Sequence, residues 1–562
     1  MQQPIASRIF LAVAVLCSAA GAQAQALAPA ASPLDSLPRS TLPEQTDVEV
    51  EVTPPAPPAA GLLATPVTPR QFDLEGVQSI PFDEVAALFT PLVGQRVTLG
   101  DIVERSQRAT QLYQQRGYAL SFFFVPAQDL REGRVRVVAV EGHVETVRIE
   151  GDVGNAEPRL RAIAENIRRE KPLRSSSFEH FTDLLGRLPG LGIQAQVLLP
   201  QSTDGASTLT IKVQRKPWDV SFGLEARKPH PRGVLTGVIN DPFASGSQLG
   251  ASTLLSTAQH DEYHALHYQQ FVGDQGWSLK GNLSYYRGNP DELLDVDNAL
   301  DRLTRVQRAE LTAAYPLKLS RAASWVFNTG LYGVNSSDTL SDPATGAYVT
   351  DRSRVRAVQG QISYTGHQPA RTRQWSLQLV QGIDGLGAEA AYLSNVPGLA
   401  GPSPVKLDFT RLLTEASQAD RWGTHWGTVV SGAVQYSPHT LPSGEKASFG
   451  AGRFARGYGA GAAAGDSGWG LGLELNRAFT RDGTWLRQWQ PYLLLEAARV
   501  YTRQGTPVPE KLRSVSLGVR LSDNKHYSLD VAMSRPTGDT PLDNPRRHWR
   551  PNLTLSYRLG SF

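Results

Sequence analysis

Cysteine is nearly absent from this chain. Of 562 residues one is Cys and two are Met. A single Cys excludes an intramolecular disulfide framework and Cys-based zinc clusters. An excess of one charge is lacking as well. A net charge of +3 and a pI near 8.8 argue against a strongly cationic nucleic-acid binder. After the first segment there is no run of about 20 apolar residues, so helical membrane spans are not expected. The membrane itself is not excluded, because barrel strands alternate and never look hydrophobic overall. Signatures of chemistry are missing too. There is no G-x-x-x-x-G-K-[ST] loop, no H-E-x-x-H and no G-x-S-x-G elbow, and the 11 His are scattered. Gly457-Tyr458-Gly459-Ala460-Gly461 lacks the strand-to-helix context and the Lys of a phosphate cradle. The reading is a non-enzyme with no catalytic residues, metal, cofactor or nucleic-acid partner.

What is present begins with an export signal. Arg8 precedes the apolar run Ile9–Leu16, and Ala22-Gln23-Ala24 fits an A-x-A cleavage site, giving a signal peptide over 1–24. Cys17 lies inside it, so cleavage leaves a chain without thiols, which suits an oxidising compartment. Residues 25–69 carry closely spaced prolines, from Pro29 to Pro69, and read as an extended tether.

Two α/β units follow, over 70–142 and 143–215. In the first, Phe72–Glu75 reads as a strand and Pro81–Phe89 as a short helix. Thr98 and Asp101 open a second helix with a capping box. Ile102, Ser106, Ala109 and Tyr113 share its inner face, and Gly117 ends it. Strands at 119–125 and 134–140 close the unit. The same order recurs: a strand at 144–150, helices marked by Leu160, Ile163 and Ile167 and by Phe178, Phe181 and Leu185, then strands at 193–199 and 208–213. Ser175–Ser177 are candidate caps for the second of these helices. A tandem βααββ repeat is more specific than either copy alone. The basic stretch from Arg159 to Arg174 reads as a solvated helix face, with contact to lipid headgroups as its alternative.

From 216 to 562 helical periodicity gives way to alternation. Trp277, Leu279, Leu283 and Tyr285 alternate with Ser278, Lys280, Asn282 and Ser284. Tyr527, Leu529, Val531 and Met533 alternate with Ser528, Asp530 and Ser534. One apolar and one polar face per strand fits half a soluble β-sandwich or a whole membrane barrel. Aromatics at run ends, such as Trp277 with Tyr285 and Tyr286, and Trp422 with Tyr436, favour the barrel, as does the terminal Phe562. The runs number roughly sixteen, a usual strand count for such barrels. The fold class is therefore α+β units followed by a transmembrane antiparallel β-barrel in contact with outer-membrane lipid.

This layout resembles the transporter of two-partner secretion systems, in the Omp85 superfamily, the group that exports filamentous haemagglutinins and haemolysins. The βααββ units would be periplasmic POTRA domains. The first resembles them at Arg116-Gly117-Tyr118-Ala119, Pro126, Gln128, Gly133 and Glu141-Gly142. The second does so at Leu188-Pro189-Gly190-Leu191 and from Asp204-Gly205 to Leu209. Phe454-Ala455-Arg456-Gly457-Tyr458 is similar to the family's V-R-G-Y/F motif at the tip of the long sixth loop, with Ala455 in place of Val. Leu494-Leu495-Glu496 stands where the family has F/G-x-D on strand thirteen, with Glu for Asp. The resemblance implies that Arg456, flanked by Ala455, Gly457 and Tyr458, holds the loop inside the pore. Glu496 is its expected partner and Glu474 a second acceptor. Alternation independently points Tyr492, Leu494 and Glu496 into the lumen. The implied function is an outer-membrane pore that takes an unfolded exoprotein, an adhesin or haemolysin, from the periplasm to the surface without ATP. The alternatives are an assembly factor for other barrels and a passive porin with periplasmic adaptor domains.

Overall fold

The computed structural model describes residues 48–53, 63–200, 202–226, 231–256, 261–289, 300–505 and 509–559. The expected signal peptide, most of the tether and Phe562 lie outside them. No helix among the described residues is long and apolar enough to cross a membrane.

One part of the tether is a strand, β1 (Val48–Thr53). The first unit contains β2 (Gln71–Glu75), α1 (Phe82–Phe89), α2 (Leu99–Gln115), β3 (Phe122–Phe124) and β4 (Arg134–Val140), with sheet order β2-β4-β3. Thr98 caps α2: its hydroxyl accepts from the Asp101 N–H at 3.2 Å, and Asp101 accepts from the Thr98 N–H at 2.7 Å. The stripe foreseen on α2 is buried in full, and Val85, Phe89, Val135 and Val137 complete its core.

The second unit contains β5 (His143–Gly151), α3 (Glu157–Arg169), α4 (Ser175–Gly186), β6 (Leu191–Leu198) and β7 (Ala206–Arg215). Its sheet order is β1-β6-β7-β5. In each unit the first and last strands pair in parallel and the last two antiparallel. Ser175–Ser177 form the first turn of α4 and do not cap it; Arg174 is the N-cap and makes no side-chain cap bond. The basic face of α3 is largely paired with its own acids, Arg161 with Glu157 and Arg168 with Glu165. β1 adds to β6 in parallel, with Val48 opposite Ile193. The signal for β1 was the alternation Val-Glu-Val-Glu-Val, overshadowed by the prolines around it.

Glu141, between the units, ties the first one together. One of its oxygens accepts from the N–H groups of Gln78 and Ser79 and from the Tyr113 hydroxyl at 2.6–2.8 Å; the other accepts from the Ser79 hydroxyl at 2.6 Å. Burial raises its carboxyl, but these hydrogen bonds outweigh burial and hold it below the usual glutamate range. A lowered folded pKa stabilises above the unfolded value, about pH 4.3, and that contribution fades as pH falls through the folded one. Glu141→Gln is expected to destabilise this unit by about 1–3 kcal/mol. The readout is faster amide exchange at Gln78 and Ser79 in the full-length protein at neutral pH, with the difference from the parent closing in acid.

The rest of the described chain closes on itself as sixteen antiparallel strands. They are β8 (Trp218–Ala226), β9 (Arg232–Asn240), β10 (Ser247–Ser256), β11 (Glu262–Val272), β12 (Trp277–Gly288), β13 (Asp301–Leu319), β14 (Ala323–Ser341) and β15 (Tyr348–Gln368). The circuit continues with β16 (Arg371–Gly382), β17 (Thr410–Trp422), β18 (Trp426–Tyr436), β19 (Ser467–Arg477), β20 (Gln488–Tyr501), β21 (Lys511–Ser522), β22 (Tyr527–Pro536) and β23 (Arg550–Leu559). β8 pairs with β23 from Val220–Leu559 to Ala226–Leu553 and shuts the barrel. Leu279, Leu283, Leu331, Leu379 and Leu473 are exposed on the outer wall. Aromatic pairs ring the periplasmic end, including Trp277 with Tyr315, Trp325 with Tyr364 and Phe479 stacked on Trp489. Tyr286 departs from the sequence reading: it points inward and is fully buried.

The second unit sits against the periplasmic turns. Asn155 donates to the Asp241 carbonyl, Asn166 to the Asp274 carbonyl and Arg187 to the Ser324 hydroxyl. Phe271 and Leu319 of the barrel join its core. His180 accepts the Leu319 N–H at 3.3 Å, consistent with a ring that burial and Arg187 keep neutral.

Candidate functional site

The connection between β18 and β19, residues 437–466, folds into the lumen and packs on its wall. Ala447–Phe449 and Ala463–Gly465 pair as a short hairpin at its base. The tip turns through left-handed backbone at Ala451, Phe454 and Ala455, with φ of 49°, 56° and 62°. At Ala455, fully buried, a β-branched side chain would be strained. Gly457 is needed for a different reason. A Cβ there would lie 2.6 Å from the Pro536 nitrogen, so only glycine lets the tip touch β22. Tyr458, also buried, donates its hydroxyl to the Asp539 carbonyl at 2.8 Å.

Arg456 lies at the centre. Its Nη1 donates to the Tyr492 hydroxyl at 2.8 Å and lies 3.5 Å from Asp530 Oδ2. Tyr492 in turn donates to Asp530 Oδ1 at 2.7 Å. The Glu496 carboxylate accepts the backbone N–H of Arg456 at 2.8 Å and the Ser514 hydroxyl at 3.0 Å. The sequence reading placed the Arg456 guanidinium on Glu496. The structure brings the two residues together, but through the backbone. The left-handed turn at 454–455 aims the N–H at β20, while the side chain runs on toward Tyr492 and β22. Glu474, read as a second acceptor, is instead taken by Arg520 in a two-pronged pair at 2.7 and 2.6 Å, with Asn476 donating to it at 2.9 Å. Arg520 also stacks over the Tyr492 ring, 4.4 Å from its centroid, and lies 3.5 Å from Asp530. Arg456 of the loop thus joins Glu474, Glu496, Arg520 and Asp530 of β19 to β22 in one network around Tyr492.

A second anchor escaped the sequence reading. Glu445, buried on the loop's ascending limb, accepts from Tyr332 of β14 at 3.0 and 2.9 Å and pairs with Arg411 of β17 at 3.2 Å. Arg453 reaches Glu415 of β17 at 2.9 Å. The loop therefore spans the lumen, tied to opposite sectors of the wall by charge-assisted bonds, the strong class of hydrogen bond. Asp530 and Glu415 were findable, because an acid at an inward position of an alternating strand needs a partner. Nothing local marks Glu445.

Known proteins resemble this chain in sequence and in fold. Residues 67–142 match the POTRA domain of ShlB type, and residues 347–521 match the haemolysin secretion/activation protein family ShlB/FhaC/HecB. The heme/hemopexin transporter protein HuxB of Haemophilus influenzae is 20% identical over 503 residues, 86% of each chain. CdiB from Escherichia coli superposes with a TM-score of 0.67 at 18% identity, over 90% of this chain and 93% of that one. CdiB from Acinetobacter baumannii gives 0.59 at 14%, over 94% and 96%. At these identities the solved structures speak for the fold.

Proposed function

We propose, from the premise that this chain belongs to the ShlB/FhaC/HecB family of two-partner secretion transporters, that the lumen loop is the gate of its pore. The protein is an outer-membrane pore whose periplasmic POTRA domains handle a partner exoprotein. The partner is an adhesin or haemolysin that arrives unfolded. An extended client binds by strand addition, in which main-chain hydrogen bonds supply affinity and flanking pockets read alternate side chains. β1 pairs with β6 in that manner, so a client strand would add to β6 by displacing β1. The client then threads past the loop and folds outside, which discourages return and gives direction without ATP.

The observation that carries the gating role is the fastening of one loop to opposite sectors of the wall, at Glu445 and at Arg456. The test compares the culture medium and the outer-membrane fraction with and without the gene. Loss of one large exoprotein with unchanged membrane proteins is expected. Loss of many barrel proteins would instead identify an assembly factor, and no change in either fraction would leave the porin.

A further inference from the structure

The outer wall carries a feature that transport does not use. On β11 to β15, side chains facing lipid line up in rows set by the strand register. The lowest row runs Leu266, Leu283, Ala309, Gly333 and Arg356. Leu266 and Leu283 project outward, whereas Ala309 and Gly333 leave a depression between Leu283 and Arg356. The result is a groove of about 600 Å³. The next row is polar, with Tyr285, Gln307 and Asn335. Above and beside it stand Arg287, Arg305, Arg352 and Arg354.

The height of these rows fixes what they meet. Tyr364 belongs to the periplasmic aromatic ring, and Arg356 lies eight residues above it on the same strand. At about 3.3 Å per residue and roughly 40° of tilt, that is about 20 Å along the membrane normal. Arg356 thus sits at the outer edge of an apolar band about 25 Å tall, and Arg305 and Arg352 sit at headgroup level. The guanidinium of Arg356 folds over Gly333, where a Cβ would lie 3.4 Å from it. Among the described residues it donates to neutral oxygens alone, Asn335 Oδ1 at 3.0 Å and the Val355 carbonyl at 2.8 Å. Glu389 lies 3.3 Å from Arg354 and Glu262 3.9 Å from Arg287, so two carboxylates among the described residues face five arginines.

One such arginine at an interface is unremarkable. Several on one face above an apolar groove repel one another unless anions lie between them, and an arginine fork matches a phosphate. We propose that this face binds a phosphorylated, multiply acylated glycolipid of the outer leaflet. An acyl chain fills the groove over Ala309, between Leu283 and the Arg356 guanidinium, and a phosphate sits among Arg305, Arg352 and Arg356. The site is separate from the lumen, and its readout does not depend on export.

The test uses the purified full-length protein, with retained lipid counted by native mass spectrometry. Diphosphorylated lipid A, the same lipid without phosphates, and inorganic phosphate serve as probes. One diphosphorylated lipid A per chain is expected. The variant Arg305→Ala, Arg352→Ala, Arg356→Ala should bind it at least about tenfold more weakly, which is about the effect of losing one charge-assisted contact. Ala309→Leu, which fills the groove two strands away from Arg356 and leaves every charge in place, should also weaken it. Equal binding by the arginine variant, or of the phosphate-free lipid, would overturn the proposal. So would competition by inorganic phosphate with Ala309→Leu unaffected, since that marks a simple anion site.

Discussion

Arg456→Ala is expected to cut export of the client at least about tenfold while leaving the barrel folded in the outer membrane. The arginine makes charge-assisted contacts to Tyr492 and Asp530, each worth about 1.5–3 kcal/mol, and tenfold corresponds to about 1.4 kcal/mol. None of these bonds belongs to the strand ladder, so insertion should survive. Lysine should rescue in part, because both contacts come from the single nitrogen Nη1, which an ammonium can replace. Glu496 provides a discriminating companion. If it acts by accepting the Arg456 N–H, as the geometry has it, Glu496→Gln keeps an acceptor oxygen and should export nearly normally, while Glu496→Ala should not. Were the glutamine variant as defective as the alanine one, charge pairing with the guanidinium would be the better account. Export is read as client in the medium against barrel in the membrane fraction.

Glu445→Ala is expected to have the second largest effect, from the opposite end of the loop. Removing this carboxylate leaves the Arg411 guanidinium inside the barrel with the residue-445 carbonyl, at 3.4 Å, in place of a carboxylate, and the Tyr332 hydroxyl without its acceptor. Breaking one side of a buried pair typically costs about 3–5 kcal/mol. The barrel ladder does not depend on that bond, so the cost should appear as release of the ascending limb. Single-channel recordings should then show larger or more frequent openings than the parent. Glu445→Gln, which can still accept from Tyr332, should fall between the two. Parental conductance in the alanine variant would show that this anchor does not hold the loop.

The sequence made some of this legible and hid the rest for physical reasons. Period-two alternation exposed the barrel strands, and helical spacing exposed the stripe Ile102, Ser106, Ala109 and Tyr113, because both signals are local. The loop tip was visible through the residues it shares with a known motif. Its partners were not, because they are set by how β19 to β22 line up across the wall. Hence Glu474 looked free to receive Arg456, although Arg520 stands between them in the network. Glu496 was placed on the correct face, yet which atom of Arg456 it meets depends on two left-handed residues before it, and only one of those, Ala455, falls within the motif. β1 was missed because proline density dominated the reading of a segment whose own six residues alternate cleanly.

The central claim is that a client passes through the lumen and past the tethered loop. The most direct measurement places a photoreactive side chain at lumen-facing Lys280, at lipid-facing Leu279, and at Leu559 beside the β8–β23 seam, in cells caught during export. The account predicts that the client cross-links at Lys280 and not at the other two. Cross-links at Leu559 with none at Lys280 would contradict it and point to a protein that releases its clients sideways into the membrane.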